Sequence, residues 1–171
     1  MKKARWSLAS CLVFLLASGL AWAGQYDEKE SAELAQVLKG AKVSLKQGLV
    51  ASASKGKPIS GKFEVEDGKL QLSVYTAKGG KFSEVLVDPK SGRVAKVEAI
   101  EGGEDLTAAK AQADAMAKAK TALGAAVDAA VKKNPGFRAV SVIPALKDGH
   151  PVADVTLMKG KEVKTDSEAL D

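Results

Sequence analysis

The side chains that most often carry acid–base, nucleophilic and metal chemistry are scarce in this chain. His150 is its only histidine and Cys11 its only cysteine. A zinc site would need carboxylates for every other ligand, and no clustered acidic motif offers them. A serine nucleophile would have only His150 as an imidazole base, and no Gly-x-Ser-x-Gly motif occurs. These residues predict no enzyme and no cofactor or metal site; His150, between the turn signal Asp148-Gly149 and Pro151, is expected to be an exposed loop residue.

One stretch, Gly56 to Lys62, matches the Gly-x4-Gly-Lys spacing of a phosphate-binding loop. Phe63 stands where that motif places the Ser or Thr that binds Mg²⁺. A phosphate loop also runs from a strand into a helix, whose N-terminus holds the anion. Here a helical pattern precedes the glycines and an alternating pattern follows them, so we expect no nucleotide site.

The N-terminal residues have the pattern of an export signal. Lys2, Lys3 and Arg5 precede an uncharged apolar run, which ends in Ala21-Trp22-Ala23. Ala21 and Ala23 are the small residues of a signal peptidase cleavage motif, and the order of charge, apolar run and motif predicts a signal peptide over residues 1–23. We therefore expect a periplasmic or secreted protein without a membrane span after cleavage.

A lipoprotein site at Cys11 is the competing interpretation of the same segment. It is disfavoured because the apolar run continues through Leu20, which would leave an apolar tail on the processed protein. Removal of residues 1–23 would also remove the only cysteine, so the exported chain is expected to be free of disulfides. Three of the 26 basic residues leave with the signal, and the formal charge falls from +5 to +2. That mild charge gives no support for a nucleic-acid partner.

Hydrophobic periodicity predicts two helices and then four strands in the first half. The helices are expected over 28–39 and from Ser44 to about Ser54, the second opened by a capping box between Ser44 and Gln47. Alternation then predicts strands around 59–65, 70–76, 82–87 and 94–100, separated by Gly-containing turns such as Asp67-Gly68. Short turns require neighbouring strands to be antiparallel.

The second half predicts a long helix and three strands. Leu106 to Lys133 is Ala-rich, with Asp105 or Thr107 available as a cap and Asn134-Pro135-Gly136 as a stop. Strands are expected over 137–143, 152–158 and 162–165, and the polar residues 166–171 are expected to fray.

The two halves repeat one order of patterns, a helix followed by strands with a Glu-Asp-Gly or Lys-Asp-Gly turn. The sequence therefore predicts an α+β fold of tandem helix-plus-antiparallel-sheet repeats, with units over 24–101 and 102–171, the second shorter. In each unit a helix is expected to cross one sheet face and leave the other open. Glu64 and Glu66 are expected on a solvated strand face, because they alternate with Phe63 and Val65.

Several of these segments together resemble the PepSY family, which is named for peptidase propeptides. They are the helix 44–54, the strand around Phe63, the turn 66–69 leading into 70–75, and above all the stretch from Glu84 through Asp88 and Gly92 to Val94. The likeness covers residues 41–100. It extends to a partial second copy over 119–165, where the closing Asp-to-Gly turn is missing.

The resemblance implies an exported α+β module without catalysis of its own, of the kind that restrains a peptidase. We therefore expect a non-catalytic protein-binding module that inhibits or regulates a periplasmic peptidase or another envelope enzyme. A binding domain for a small ligand or an envelope polymer, acting as sensor or carrier, is the alternative. The lysines 78, 81, 159, 161 and 164 are expected either to protect sheet edges or to form a basic rim for an acidic partner.

Overall fold

The described part of the chain, residues 26–171 of a computed structural model, consists of helices and one antiparallel sheet. The 1–23 signal peptide prediction, with Ala21 and Ala23, lies outside these residues. The bounds of the helices are α1 Glu28–Val37, a 3-10 turn Leu38–Gly40, α2 Leu45–Ser52, α3 Gly103–Lys118 and α4 Leu123–Lys133. The strands are β1 Lys57–Glu66, β2 Lys69–Lys78, β3 Lys81–Val87, β4 Val94–Ile100, β5 Arg138–Lys147, β6 His150–Lys159 and β7 Glu162–Ala169.

The sheet has the strand order β4-β3-β2-β1-β5-β6-β7 and every neighbouring pair is antiparallel. The predicted α+β class is confirmed. Strands of both sequence halves meet at β1 and β5, where Gly61 lies opposite Val142 and Lys62 opposite Ser141. The two predicted units thus share one sheet and one buried apolar cluster. The tandem repeat itself stays a prediction.

Helices α2 and α4 lie side by side on one sheet face, with α2 over the strands of the first half and α4 over those of the second. The predicted capping box opens α2: Ser44 Oγ accepts from the Gln47 amide at 3.2 Å, and the Ser44 amide donates to Gln47 Oε1 at 2.8 Å. Gly61 lets α2 approach closely, because a Cβ there would lie 3.2 Å from Leu49 Cδ2. This face is the apolar interior that the sequence predicts.

Helix α3 crosses the opposite face of the sheet, and the prediction of an open second face is wrong in this region. Ser60, which alternates with Gly61, points away from α2, and its hydroxyl donates to Gln112 Oε1 of α3 at 2.7 Å. Lys57 Nζ donates to the Met116 carbonyl at 2.9 Å, so the end of α3 is bound to the start of β1.

The single helix predicted over 106–133 is also wrong, because the chain leaves helical geometry between α3 and α4. Ala119 is extended, and the amides of Lys120 and Thr121 donate to the Leu170 carbonyl at 2.7 and 2.9 Å. Helix α3 begins at Gly103 with no side-chain cap, which contradicts the predicted caps Asp105 and Thr107. The lost helical hydrogen bonds are replaced by bonds to the C-terminal segment.

The C-terminal residues are ordered into the sheet and do not fray as the sequence predicts. Strand β7 extends to Ala169, and Leu170 is 0% exposed in the core. The Leu170 amide donates to the Pro151 carbonyl at 2.9 Å. Glu168 is buried, and both its carboxylate oxygens lie 2.8 Å from Lys133 Nζ of α4. An apolar anchor and an ion pair therefore fix this segment.

Candidate functional site

His150 lies at the start of β6, where the sequence places an exposed loop histidine. It is exposed as predicted, although it begins a strand, and its Nδ1 lies 2.9 Å from Asp171 Oδ2. The histidine lowers the pKa of the exposed Asp171 carboxyl through this hydrogen bond. Within residues 26–171, no Ser, Thr or Cys side chain forms a hydrogen bond with His150, and no cluster of three or more His, Cys, Asp or Glu is placed to hold a metal ion.

The residues that match a phosphate-loop spacing form the first half of β1. Lys62 lies within the strand and its Nζ is paired with Glu64 Oε2 at 2.6 Å. This arrangement differs from a glycine loop at a helix N-terminus, in which backbone amides converge on an anion.

A polar cluster on the second sheet face surrounds Glu64, and the expectation that Glu64 is solvated is wrong. Its side chain is only 20% exposed, while Glu66 is exposed as predicted. Ser73 Oγ on β2 donates to Glu64 Oε1 at 2.6 Å, and Gln71 Nε2 donates to the same oxygen at 3.3 Å. Lys62 neutralises the Glu64 carboxylate within this cluster.

Glu84 on β3 completes this cluster and faces a second carboxylate, since its position lies directly opposite Glu98 on β4. Burial raises the pKa of Glu84, and the charges of Glu64 and Glu98 raise it further, whereas Ser73 and Lys62 oppose the shift. The region therefore holds more negative charge than it neutralises, and Glu98 is its outermost member.

A groove of about 370 Å³ lies between α2 and α4 on the first face. Leu45, Val127, Val131 and Phe137 give it apolar walls, and the ion pair of Lys46 with Asp128 crosses its rim at 2.5 Å. It is open to solvent along its length.

Arg138 separates this groove from a smaller groove of about 220 Å³. Its hydrogen-bond partners are backbone carbonyl oxygens and not a carboxylate. Its guanidinium donates to the carbonyls of Leu38, Ala41 and Val43 at 3.4, 3.4 and 2.5 Å, and it lies 5.2 Å from the centre of the Phe63 ring. Burial lowers the pKa of Arg138. These contacts give Arg138 a structural role in holding the segment before α2.

Strand β4 is one of the two edge strands of the sheet. Its inner edge pairs with β3 over Val94–Ile100, and the outer edge has no neighbouring strand. Across residues 26–171 no helix packs extensively on β4, and Val97 at its centre is 44% exposed. Unpaired edges present backbone donors and acceptors to another chain.

The opposite edge, β7, also lacks an outer neighbouring strand, but it differs from β4 in that a helix packs on it. Helix α4 packs against β7, and polar side chains of β7 bind it: Glu168 pairs with Lys133, and Asp166 accepts from Asn134 Nδ2 at 2.9 Å. Lys164, one of the lysines of the predicted rim, has its Nζ 4.0 Å from the centre of the Phe137 ring. The two edges of the sheet thus differ in what they offer to a partner.

The sequence predicts β4 as a strand but leaves the binding surface unassigned. Its pattern of Val94, Val97 and Ile100 contains no signal that distinguishes an edge from a central strand. The weak alternation and the absence of a fully buried position in β4 are consistent with an edge.

No protein-family model, curated protein or solved structure matches this chain. The PepSY resemblance and its implications therefore stay predictions. Among residues 26–171 no helix is long and apolar enough to cross a membrane.

Proposed function

We propose that the chain is an exported, non-catalytic protein-binding module that docks an extended segment of an envelope protein along β4. The observation that carries this proposal is the uncovered outer edge of β4, with Val97 at its centre. In strand addition, main-chain hydrogen bonds supply affinity and alternate side chains supply selectivity.

The two faces of β4 present different chemistry to such a segment. Val97 and Ala99 lie on the same face as the buried Val85, whereas Lys96 and Glu98 lie on the face of the polar cluster. Ala95 is the extra residue of a bulge between Val94 and Lys96. A matching partner strand is therefore apolar on one face and carries opposite charges on the other. The surface fits a strand of this alternating type.

If the partner that docks on β4 is an envelope peptidase, the protein would act as its inhibitor. Edge-strand pairing is one way in which an extended polypeptide is recognised, and a peptidase also handles its substrate as an extended chain. The PepSY resemblance points to the same class of partner. The scarcity of histidine and cysteine in the chain supports a binding role without catalysis.

Affinity capture with one variant on β4 and a matched control variant on α2 tests the proposal. The full-length gene is expressed in a bacterial host with a periplasm, and the processed protein is immobilised and exposed to envelope extract. We compare Val97→Lys on β4 with Val50→Lys on α2, a side chain that is 68% exposed. A lysine in place of Val97 puts a charge where the partner strand needs an apolar contact, which disfavours pairing. A partner should therefore be retained by the native chain and by V50K and lost by V97K.

Equal retention by V97K and V50K would contradict docking at β4. A peptidase that is retained in the predicted pattern is then assayed with and without the purified protein. A fall in its activity that V97K fails to produce supports the inhibitory form, and unchanged activity supports binding without inhibition.

The groove between α2 and α4 favours a second candidate, the binding of a small ligand or an envelope polymer. Its volume of about 370 Å³ is within the range of ligand sites, and its walls are mainly apolar. A ligand that raises the melting temperature of the native chain should not raise that of Val131→Trp, because the larger side chain fills the groove. A shift that V131W retains would place the ligand elsewhere.

A further inference from the structure

The outer edge of β4 is complementary to a second copy of itself. Its charged residues, Lys96 and Glu98, lie on one face on either side of Val97, whose side chain lies on the other face. Opposite charges placed symmetrically about one residue are exchanged by a two-fold rotation. A strand with this arrangement can pair with its own copy in an antiparallel, isologous contact.

Strand register decides whether the charges attract or repel. Pairing two copies about Val97 places each Lys96 opposite Glu98 of the other copy. The neighbouring allowed registers, centred on Lys96 or on Glu98, place two lysines or two glutamates directly opposite each other, which is unfavourable. The regular part of β4 begins at Lys96, because a bulge at Ala95 interrupts the alternation after Val94. The charges of Lys96 and Glu98 therefore select one register.

The charges around Glu98 favour an added cation at this edge. Glu98 lies directly opposite Glu84 on β3, and its favourable contact is with Lys96 of its own strand at 2.7 Å. Two like charges across a strand pair are destabilising. A second copy would bring its own Lys96 to the free side of Glu98, and each subunit would gain the same contact.

We propose that β4 of one copy pairs antiparallel with β4 of a second copy about Val97, joining two sheets into one continuous sheet in a homodimer. This inference deepens the proposed function, since it names a partner for the same edge. Self-pairing and docking of another protein then exclude each other, because both use the outer backbone groups of β4. The homodimer is a form in which the exposed edge is protected until a partner strand displaces it.

Charge exchange on β4 tests the homodimer. The processed full-length protein is examined by analytical ultracentrifugation over a concentration series, as the native chain, Lys96→Glu, Glu98→Lys and the double variant K96E/E98K. Each single variant places like charges opposite each other at two positions, so its dimer dissociation constant should rise about tenfold or more. The double variant restores opposite charges and should dimerise like the native chain.

A mixture of the two single variants adds an independent outcome. K96E carries two glutamates on this face of β4 and E98K carries two lysines, so the mixture should form a heterodimer although each variant alone is monomeric at the same concentration. The matched control is Lys29→Glu, which disrupts an exposed pair with Glu33 on α1 and should leave the dissociation constant unchanged. Far-ultraviolet circular dichroism verifies that every variant is folded.

A native chain that is monomeric throughout the series, or a dimer that is insensitive to both single variants, would overturn the homodimer. If the chain is monomeric and V97K still loses a captured protein, the homodimer fails and docking at β4 stands. If the dimer dissociation constant rises in both single variants and is restored in K96E/E98K, but V97K retains every captured protein, docking fails and the homodimer stands.

Discussion

Replacing Leu170 by alanine should destabilise the protein strongly, although it is the residue before the C-terminal Asp171. Its side chain is 0% exposed and belongs to the apolar core. Leu→Ala changes at buried positions cost about 2–5 kcal/mol, so we expect a loss of at least about 2 kcal/mol. The Leu170 backbone bonds to Pro151, Lys120 and Thr121 are retained in this variant.

Urea unfolding monitored by circular dichroism measures this cost. With a slope of about 1–3 kcal/mol per molar urea for a domain of this size, the midpoint of L170A should fall by roughly 1–2 M. Leu146→Ala is the matched control, because Leu146 is 40% exposed and its truncation should cost less than about 1 kcal/mol. If L170A unfolds at the same urea concentration as L146A, the Leu170 side chain does not anchor the C-terminal segment.

Two further changes test the packing and the electrostatics. Gly48→Ala should destabilise the protein by about 1 kcal/mol although alanine has the better helix propensity, because the new Cβ would lie 2.5 Å from Leu72 Cδ2. Gly124→Ala on α4, where the nearest contact is at 3.6 Å, should be neutral or stabilising. Equal urea midpoints for the two variants would contradict this reasoning. Glu84→Gln should raise the urea midpoint at pH 7, because the raised pKa of Glu84 makes its ionised form unfavourable in the folded state, and the gain should vanish as the pH falls below the ordinary pKa of glutamate. An increase in the urea midpoint of Glu84→Gln over the native chain that becomes larger as the pH falls would contradict this prediction.

Features determined by neighbouring residues could be predicted from the sequence. The capping box of Ser44 and Gln47 needs only residues within one turn, and it forms as predicted. The tight turn at Asp67-Gly68 likewise follows from local chemistry, since both residues adopt positive φ, at 48° and 71°.

Features determined by distant residues could not be predicted from the sequence. The Ala-rich run contains no helix-breaking residue between Lys118 and Leu123, and its break depends on the carbonyl of Leu170 far along the chain. The burial of Glu64 depends in the same way on Ser73 and Gln71 of the neighbouring strand. Local propensity ranks below such tertiary contacts when the two compete.

The candidate site shows the same division. Periodicity identifies the strand that contains Val97, but strand order determines whether that strand is an edge. The order β4-β3-β2-β1 places it outermost, and the antiparallel junction of β1 with β5 places the second half on the far side of the sheet. The pairing of halves at β1 and β5 has no signal in the residues themselves.

Photo-crosslinking in living cells tests docking at β4 most directly. A photoreactive amino acid replaces Val97 or, as control, the more exposed Val50 in the full-length chain. After irradiation, the account predicts specific adducts at position 97, either with an envelope protein or with a second copy, and few or none at position 50. An absence of adducts at 97, or the same adducts at both positions, would contradict the central claim that the edge of β4 is the binding surface.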